Sequence, residues 1–134
     1  FGGRDRILLQ REFKAVLQHG WRGRGPHLQV IARRRSAEPA GNARLGLSVS
    51  KQTGNSPARA RMRRLIREAF RALRAPRLSG VDVVVLARIP WPMASLAEVS
   101  AEMSKVFDYV CSNLDRERRS RSPGDRRPPR GATP

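Results

Sequence analysis

Between Pro57 and Ala75 stand seven arginines, Arg59, Arg61, Arg63, Arg64, Arg67, Arg71 and Arg74, against a single acid, Glu68. The guanidinium is a planar fork of donors that pairs with phosphate and stacks on bases, so the chemistry on offer is recognition of a polyanion. On an isolated helix, arginines at i and i+4 repel by a few tenths of a kcal/mol per pair. A sequence that accepts this cost without compensating acids points to an anionic partner rather than to a solvated face. The segment Lys51-Gln52-Thr53-Gly54-Asn55 just before it adds another cation and a turn.

Little else in the chain suggests catalysis. The 11 acids are scattered, many beside arginines, and show neither a carboxylate cluster for a metal ion nor a general acid/base pair. His19 and His27 read as ordinary surface or nucleic-acid-contacting residues. Cys111 adjoins an apolar stripe and reads as a small buried side chain rather than a nucleophile. The expectation is a polypeptide with no catalytic residue, no metal ligand set and no organic cofactor of its own.

Several elements must position the arginines. On a wheel of roughly 100° per residue, residues 57 to 74 place Met62, Leu65, Ile66, Ala69, Phe70 and Leu73 on one arc and most of the arginines opposite. Ser56 reads as the N-cap, with Pro57 in the first helical position. Upstream, Phe13, Val16 and Leu17 followed by Gly20 predict a short amphipathic helix over 9–19. Leu28, Val30 and Ala32, then Leu45, Leu47 and Val49, alternate with more polar residues as half-buried strands do. Their separation by a turn at Glu38–Asn42 predicts a hairpin, with a short extra strand near Trp21–Gly23. Val81-Asp82-Val83-Val84-Val85-Leu86-Ala87 reads as a central strand covered on both faces, parallel to the strand before the arginine helix. Ser95 and Glu98 form a capping box ahead of a last helix striped by Leu96, Val99, Met103, Val106, Phe107 and Val110.

The length of 134 residues fits one domain with one modest core. Lys and Arg total 28 against 11 Asp and Glu, a formal net charge of +17, and only Lys14, Lys51 and Lys105 are lysines. From Asp115 onward the composition turns to Arg, Ser, Pro, Gly and Asp, which cannot offset the entropy of ordering. The division is therefore a domain over 1–114 and a disordered Arg/Pro-rich tail over 115–134. That tail holds seven arginines and three acids, leaving +13 of the charge on the domain. No apolar stretch approaches the ~18 residues of a membrane span. A single cysteine excludes an intrachain disulfide framework, which suits the reducing cytoplasm. The opening Phe1-Gly2-Gly3 lacks an initiator Met and a signal peptide's apolar core, and reads as a trimmed chain rather than a secreted one.

Arg44-Leu45-Gly46-Leu47-Ser48-Val49-Ser50-Lys51, then Gly54-Asn55, then the arginine helix ending Leu65-Ile66-Arg67-Glu68-Ala69-Phe70-Arg71, resemble the signature of the bacterial ribonuclease P protein component. The likeness runs from Phe1, through Arg11-Glu12-Phe13, to the last helix. It implies an α/β (α+β) two-layer sandwich of order α-β-β-β-α-β-α. Its mixed four-stranded sheet would have a left-handed β-α-β crossover, against the usual right-handed rule. It further implies the protein subunit of a ribonucleoprotein endoribonuclease that removes 5′ leaders from precursor tRNA, with Mg²⁺ bound mainly by the catalytic RNA subunit. The family's RNA-binding positions fall on Lys51, Asn55, Arg59, Arg61, Arg63, Arg64, Arg67 and Arg71. The cleft for the single-stranded leader falls on Phe13, Leu17, Ile31 and Arg33. Leu17 and Ile31 stand where aromatic residues are usual, and Ala60 stands where the motif has Asn.

The partners so implied are the catalytic RNA and precursor tRNA, in the cytoplasm and without a membrane. The alternative is a ribosomal-protein-like structural rRNA binder, which shares the composition. A helix-turn-helix DNA reader is disfavoured because strand and loop, not a positioning helix, precede the arginines. A self-sufficient nuclease lacks the residues.

Overall fold

The computed structural model describes residues 10–34, 43–73 and 80–120. The sequence positions Glu38–Asn42, Arg74 and 121–134 discussed above lie outside these. Helix α1, Gln10–His19, carries Phe13, Val16 and Leu17 on one face and closes with Gly20 N donating to Val16 O at 2.8 Å. Strand β1, Trp21–Arg24, follows at once and pairs antiparallel with β2, Leu28–Arg34. Next come β3, Arg44–Val49, a 3-10 turn over Lys51–Thr53, and helix α2, Ser56–Leu73. Strand β4, Val81–Ala87, and helix α3, Leu96–Ser120, complete the order α-β-β-β-α-β-α expected from the sequence.

The sheet order is β1-β2-β4-β3. Strand β4 is antiparallel to β2 and parallel to β3, as a strand covered on both faces and reached through a helix should be. Every residue of β4 is buried. The expected hairpin between the second and third strands does not form, because β4 sits between them. Period-2 alternation reports which face of a strand is buried, but not which strand lies on its edge. The short strand expected near Trp21 does form, and it occupies the other edge of β2.

Because strand side chains alternate, the sheet has two unequal faces. One face, with Leu28, Val30, Ala32, Leu45, Val49, Val81, Val83, Val85 and Ala87, packs under α2 and α3 as the main core. The two helices meet through Phe70 and Phe107, whose rings lie edge to face at 6.1 Å and 79°. Helix α3 comes so close to β1 that a Cβ on Gly23 would stand 2.9 Å from both Val106 and Val110. Among the described residues the other face is covered by α1, through Val16 against Ile31, Val84 and Leu86, with Phe13 and Leu17 packed at the margin.

Helix α3 starts at the expected capping box: Ser95 Oγ accepts from Glu98 N at 3.1 Å and Glu98 Oε1 accepts from Ser95 N at 3.0 Å. Its stripe differs from expectation at Leu96, which is exposed, and gains Cys111 and Leu114. Its length differs too: the helix runs to Ser120, past the boundary expected at 115. Extending a formed helix costs far less than nucleating one, and Asp115 is anchored by Arg34 Nη2 at 3.1 Å. Composition does not report a helix already in place to continue.

Candidate nucleic-acid interface

Helix α2 is aimed by its apolar stripe. Met62, Leu65, Ile66, Ala69 and Phe70 are buried in the main core. Burial of such side chains contributes on the order of 1.5–3 kcal/mol each for the larger ones, enough to fix the helix's rotation despite its charge repulsion. The opposite side therefore faces out: Arg61, Arg64 and Arg71 are exposed, and Arg59, Arg63 and Arg67 are half-buried along one flank. No carboxylate of the described residues pairs with Arg59, Arg61, Arg63, Arg64 or Arg67. Arg59 donates from Nη2 to Ser56 Oγ at 3.2 Å, and its buried Nε has no partner.

The helix start is shifted by one residue from expectation. Asn55, not Ser56, is the cap: its Oδ1 accepts from Ala58 N at 3.0 Å and its carbonyl from Arg59 N at 2.9 Å. Pro57 still falls in the first turn, where its missing N–H is not needed. Gly54 precedes the cap at φ 152°, where a Cβ would lie 2.9 Å from that of Ala58, so the turn into the helix requires glycine. The Lys51 loop is stitched to the sheet through Ala87 O, which accepts from Ser50 N and from Thr53 Oγ1, both at 3.0 Å. Lys51 and Gln52 are left exposed. With no acid in its first turn, the N-terminus of α2 adds its own partial positive charge to the cations around it.

The four residues expected to line a cleft are brought together on the α1 face of the sheet. Phe13 and Leu17 are half-buried, one helical turn apart, at the margin of the small cluster. Arg33 is half-buried two residues along β2 from Ile31 and so on the same face. Ile31 itself is fully buried and forms the floor of this region rather than its lining.

Sequence reasoning missed the device that holds α1 in place. Arg44 donates through Nε and Nη2 to the two oxygens of Asp82, its neighbour across the β3–β4 pair, at 2.8 and 2.9 Å. It also reaches Glu12 of α1 at 3.1 Å. The hydrogen bond to Asp82 raises the Arg44 pKa further above its ordinary value, with the charges of Asp82 and Glu12 adding to it and partial burial opposing. The available signal was Asp82 itself, an acid inside an otherwise apolar strand that burial obliges to find a partner. Neither was the setting of His27 foreseen: it stacks on Trp91 and bonds Glu102.

Among the described residues no three His, Cys, Asp or Glu side chains converge on a possible metal position. Glu12, Asp82, Glu98, Glu102 and Asp115 are each engaged by arginine, histidine or backbone N–H groups. No described helix is long and apolar enough to cross a membrane.

Comparison with known proteins bears on the whole arrangement. A family model described as Ribonuclease P matches residues 1–111. The ribonuclease P protein component of Bacillus cereus strain B4264 is 36% identical over 104 residues, covering 78% of this chain and 89% of that protein. The solved RNase P protein of Staphylococcus aureus superposes with a TM-score of 0.68 at 25% identity, over 78% of this chain and 93% of that one. The Thermotoga maritima RNase P protein has the same fold, with a TM-score of 0.66 over 81% of this chain and 97% of that one.

Proposed function

The chain belongs to the ribonuclease P protein family, the protein component of a ribonucleoprotein endoribonuclease, and from that premise we propose that it grips the catalytic RNA with α2 and the Lys51 loop while α1 and the sheet hold the 5′ leader of precursor tRNA. One observation carries the first half: Arg61, Arg63, Arg64 and Arg67 lie on the outer side and flank of one buried-face helix, and none is paired with a carboxylate of the described residues. Such a row releases counterions when it meets a sugar–phosphate backbone, and it supplies affinity and orientation without reading sequence. Arg71 extends the row. Asn55 contributes by aligning the first turn of the helix.

For the leader, among the described residues Phe13 offers the one aromatic face of the cleft, Leu17 an apolar wall and Arg33 a cation. Stacking contributes roughly 1–3 kcal/mol per base, so a cleft with a single aromatic leans on charge and apolar contact for the rest. No residue of this chain performs bond cleavage in this reading. The Mg²⁺ that supports hydrolysis belongs to the RNA subunit, and the cytoplasm is where both RNAs are met.

The test is reconstitution at low Mg²⁺ with the catalytic RNA and a precursor tRNA. The protein is expected to stimulate cleavage at the 5′ boundary of the mature tRNA. Absence of stimulation, with the chain binding structured rRNA equally well, would favour the ribosomal-protein-like alternative. Cleavage without the RNA subunit would overturn the reading from the other side.

A further inference from the structure

Among the described residues the large exposed apolar side chains are Ile89, Met93 and Leu96, at 50%, 90% and 41%; the first two fall in the stretch joining β4 to α3 and the third opens that helix. Met93 has φ +63°, the one positive value among the described non-glycine residues. A side chain disfavours this conformation, and a fold retains it only where its surroundings impose it.

The residues on either side of Met93 are held by tertiary and capping contacts. Trp91 stacks on His27 with ring centres 3.9 Å apart and planes 8° from parallel. His27 Nδ1 lies 2.9 Å from Glu102 Oε1, while Glu102 Oε2 accepts from the backbone N–H of His27 and of Leu28, both at 2.7 Å. Ala94 is fully buried, and the capping box follows directly. The loop is thus held on both sides of Met93, and its apolar tips stand in water, Met93 almost wholly and Ile89 by half.

Resting on the reading that α2 and the Lys51 loop meet the catalytic RNA, we propose that the loop Arg88–Ser95 is a second contact with that RNA subunit, in which Ile89 and Met93 pack on an unpaired base and Arg88 meets the adjoining phosphate. Charge favours this occupant over an apolar protein surface. Arg88, Lys51 and Arg24 are exposed at this end of the sheet, whereas the nearby acids Glu98 and Glu102 are taken up by backbone N–H groups. Continuity favours it as well, since the carbonyl of Ala87, immediately before Arg88, is the one that secures Ser50 and Thr53. The RNA subunit is favoured over the leader because α1 and its cleft lie on the opposite face from α3, into which this loop leads. A thioether and a branched alkyl chain held rigidly suit a base face, and rigidity lowers the ordering cost of binding.

The experiment measures binding of the full chain to the catalytic RNA transcript over a series of salt concentrations. Ile89→Ser with Met93→Ser is expected to weaken binding about tenfold with an unchanged salt slope, because no ion is displaced by an apolar contact. Arg88→Ala is expected to flatten the log–log slope by about 0.7–0.9. Met93→Gly, which relaxes the backbone, is expected to melt at or above the parent temperature and yet bind the RNA more weakly. Parent-like affinity of the Ser variant, alongside lost affinity in Arg61→Ala/Arg64→Ala/Arg67→Ala, would overturn the loop contact and leave the function standing. Parent-like affinity in both would overturn the function and the loop contact with it. A loss confined to the preference for leader-bearing over mature tRNA, or to self-association in sedimentation, would also overturn it, pointing to the leader or to a protein partner.

Discussion

Arg44 and Arg64 carry the same side chain to opposite uses. Arg44, on β3, directs its guanidinium inward, where two carboxylates close on it and join α1 to the sheet. Arg34 is similarly tied to Asp115. Arg64, with Arg61, Arg63 and Arg67, stands on α2 paired with no carboxylate of the described residues. The difference teaches that the 28 lysines and arginines are not one population. Some are structural, neutralised within the fold, and others stand without such a pairing. The two can be separated because they affect different measurements.

The sharpest separation is Arg61→Ala with Arg64→Ala and Arg67→Ala. Three phosphate contacts at slopes of about 0.7–0.9 each amount to roughly 100-fold in RNA affinity near 0.1 M salt, with thermal stability unchanged or slightly raised as i and i+3/i+4 repulsion is relieved. A protein melting well below the parent would show these arginines to be structural after all. Next in size is Arg44→Met, which keeps the aliphatic stem and removes the bidentate partner of Asp82, itself 6% exposed. Removing one partner of a buried pair costs about 3–5 kcal/mol, and partial exposure of Arg44 and Glu12 reduces the expectation to about 2 kcal/mol. The check is a lowered urea midpoint with an unchanged salt slope for RNA binding. On the Arg44 side, the raised pKa keeps the pairing's contribution in place through neutral pH and loses it only in strong alkali, so the deficit of Arg44→Met should not vary between pH 6 and 9 through Arg44 itself.

The smallest effect tests which side of the divide Asn55 stands on. As the observed cap of α2, Asn55→Ala should cost about 1 kcal/mol of stability, and Asn55→Ser, another good cap, should restore most of it. RNA affinity that fails to recover with Asn55→Ser would instead assign the amide to direct contact.

The elements of this fold were legible where a signal is local. The wheel over 57–74 found the buried stripe of α2, Ser95 and Glu98 found the start of α3, and the β-branched run at 81–87 found the strand covered on both faces. Cys111 is buried, as its place beside the last stripe suggested. The cap of α2 was missed by one residue because Asn55 and Ser56 are both good capping types, and the choice depends on the turn that Gly54 makes. For the cleft, the sequence placed Phe13 and Leu17 on one helix face, yet only the packed sheet shows that Ile31 lies beneath them, fully covered.

The arginine comb, its rotation on α2 and the scarcity of acids opposite it were written into residue spacing, because helical period and charge repulsion act between neighbours in the chain. Strand partners were not. That β4 separates β2 from β3, that Asp82 and Glu12 converge on Arg44, and that His27 meets Trp91 and Glu102 depend on which edges and faces come together across long separations. Spacing along the chain carries no information about those meetings, and the tertiary structure alone decided them.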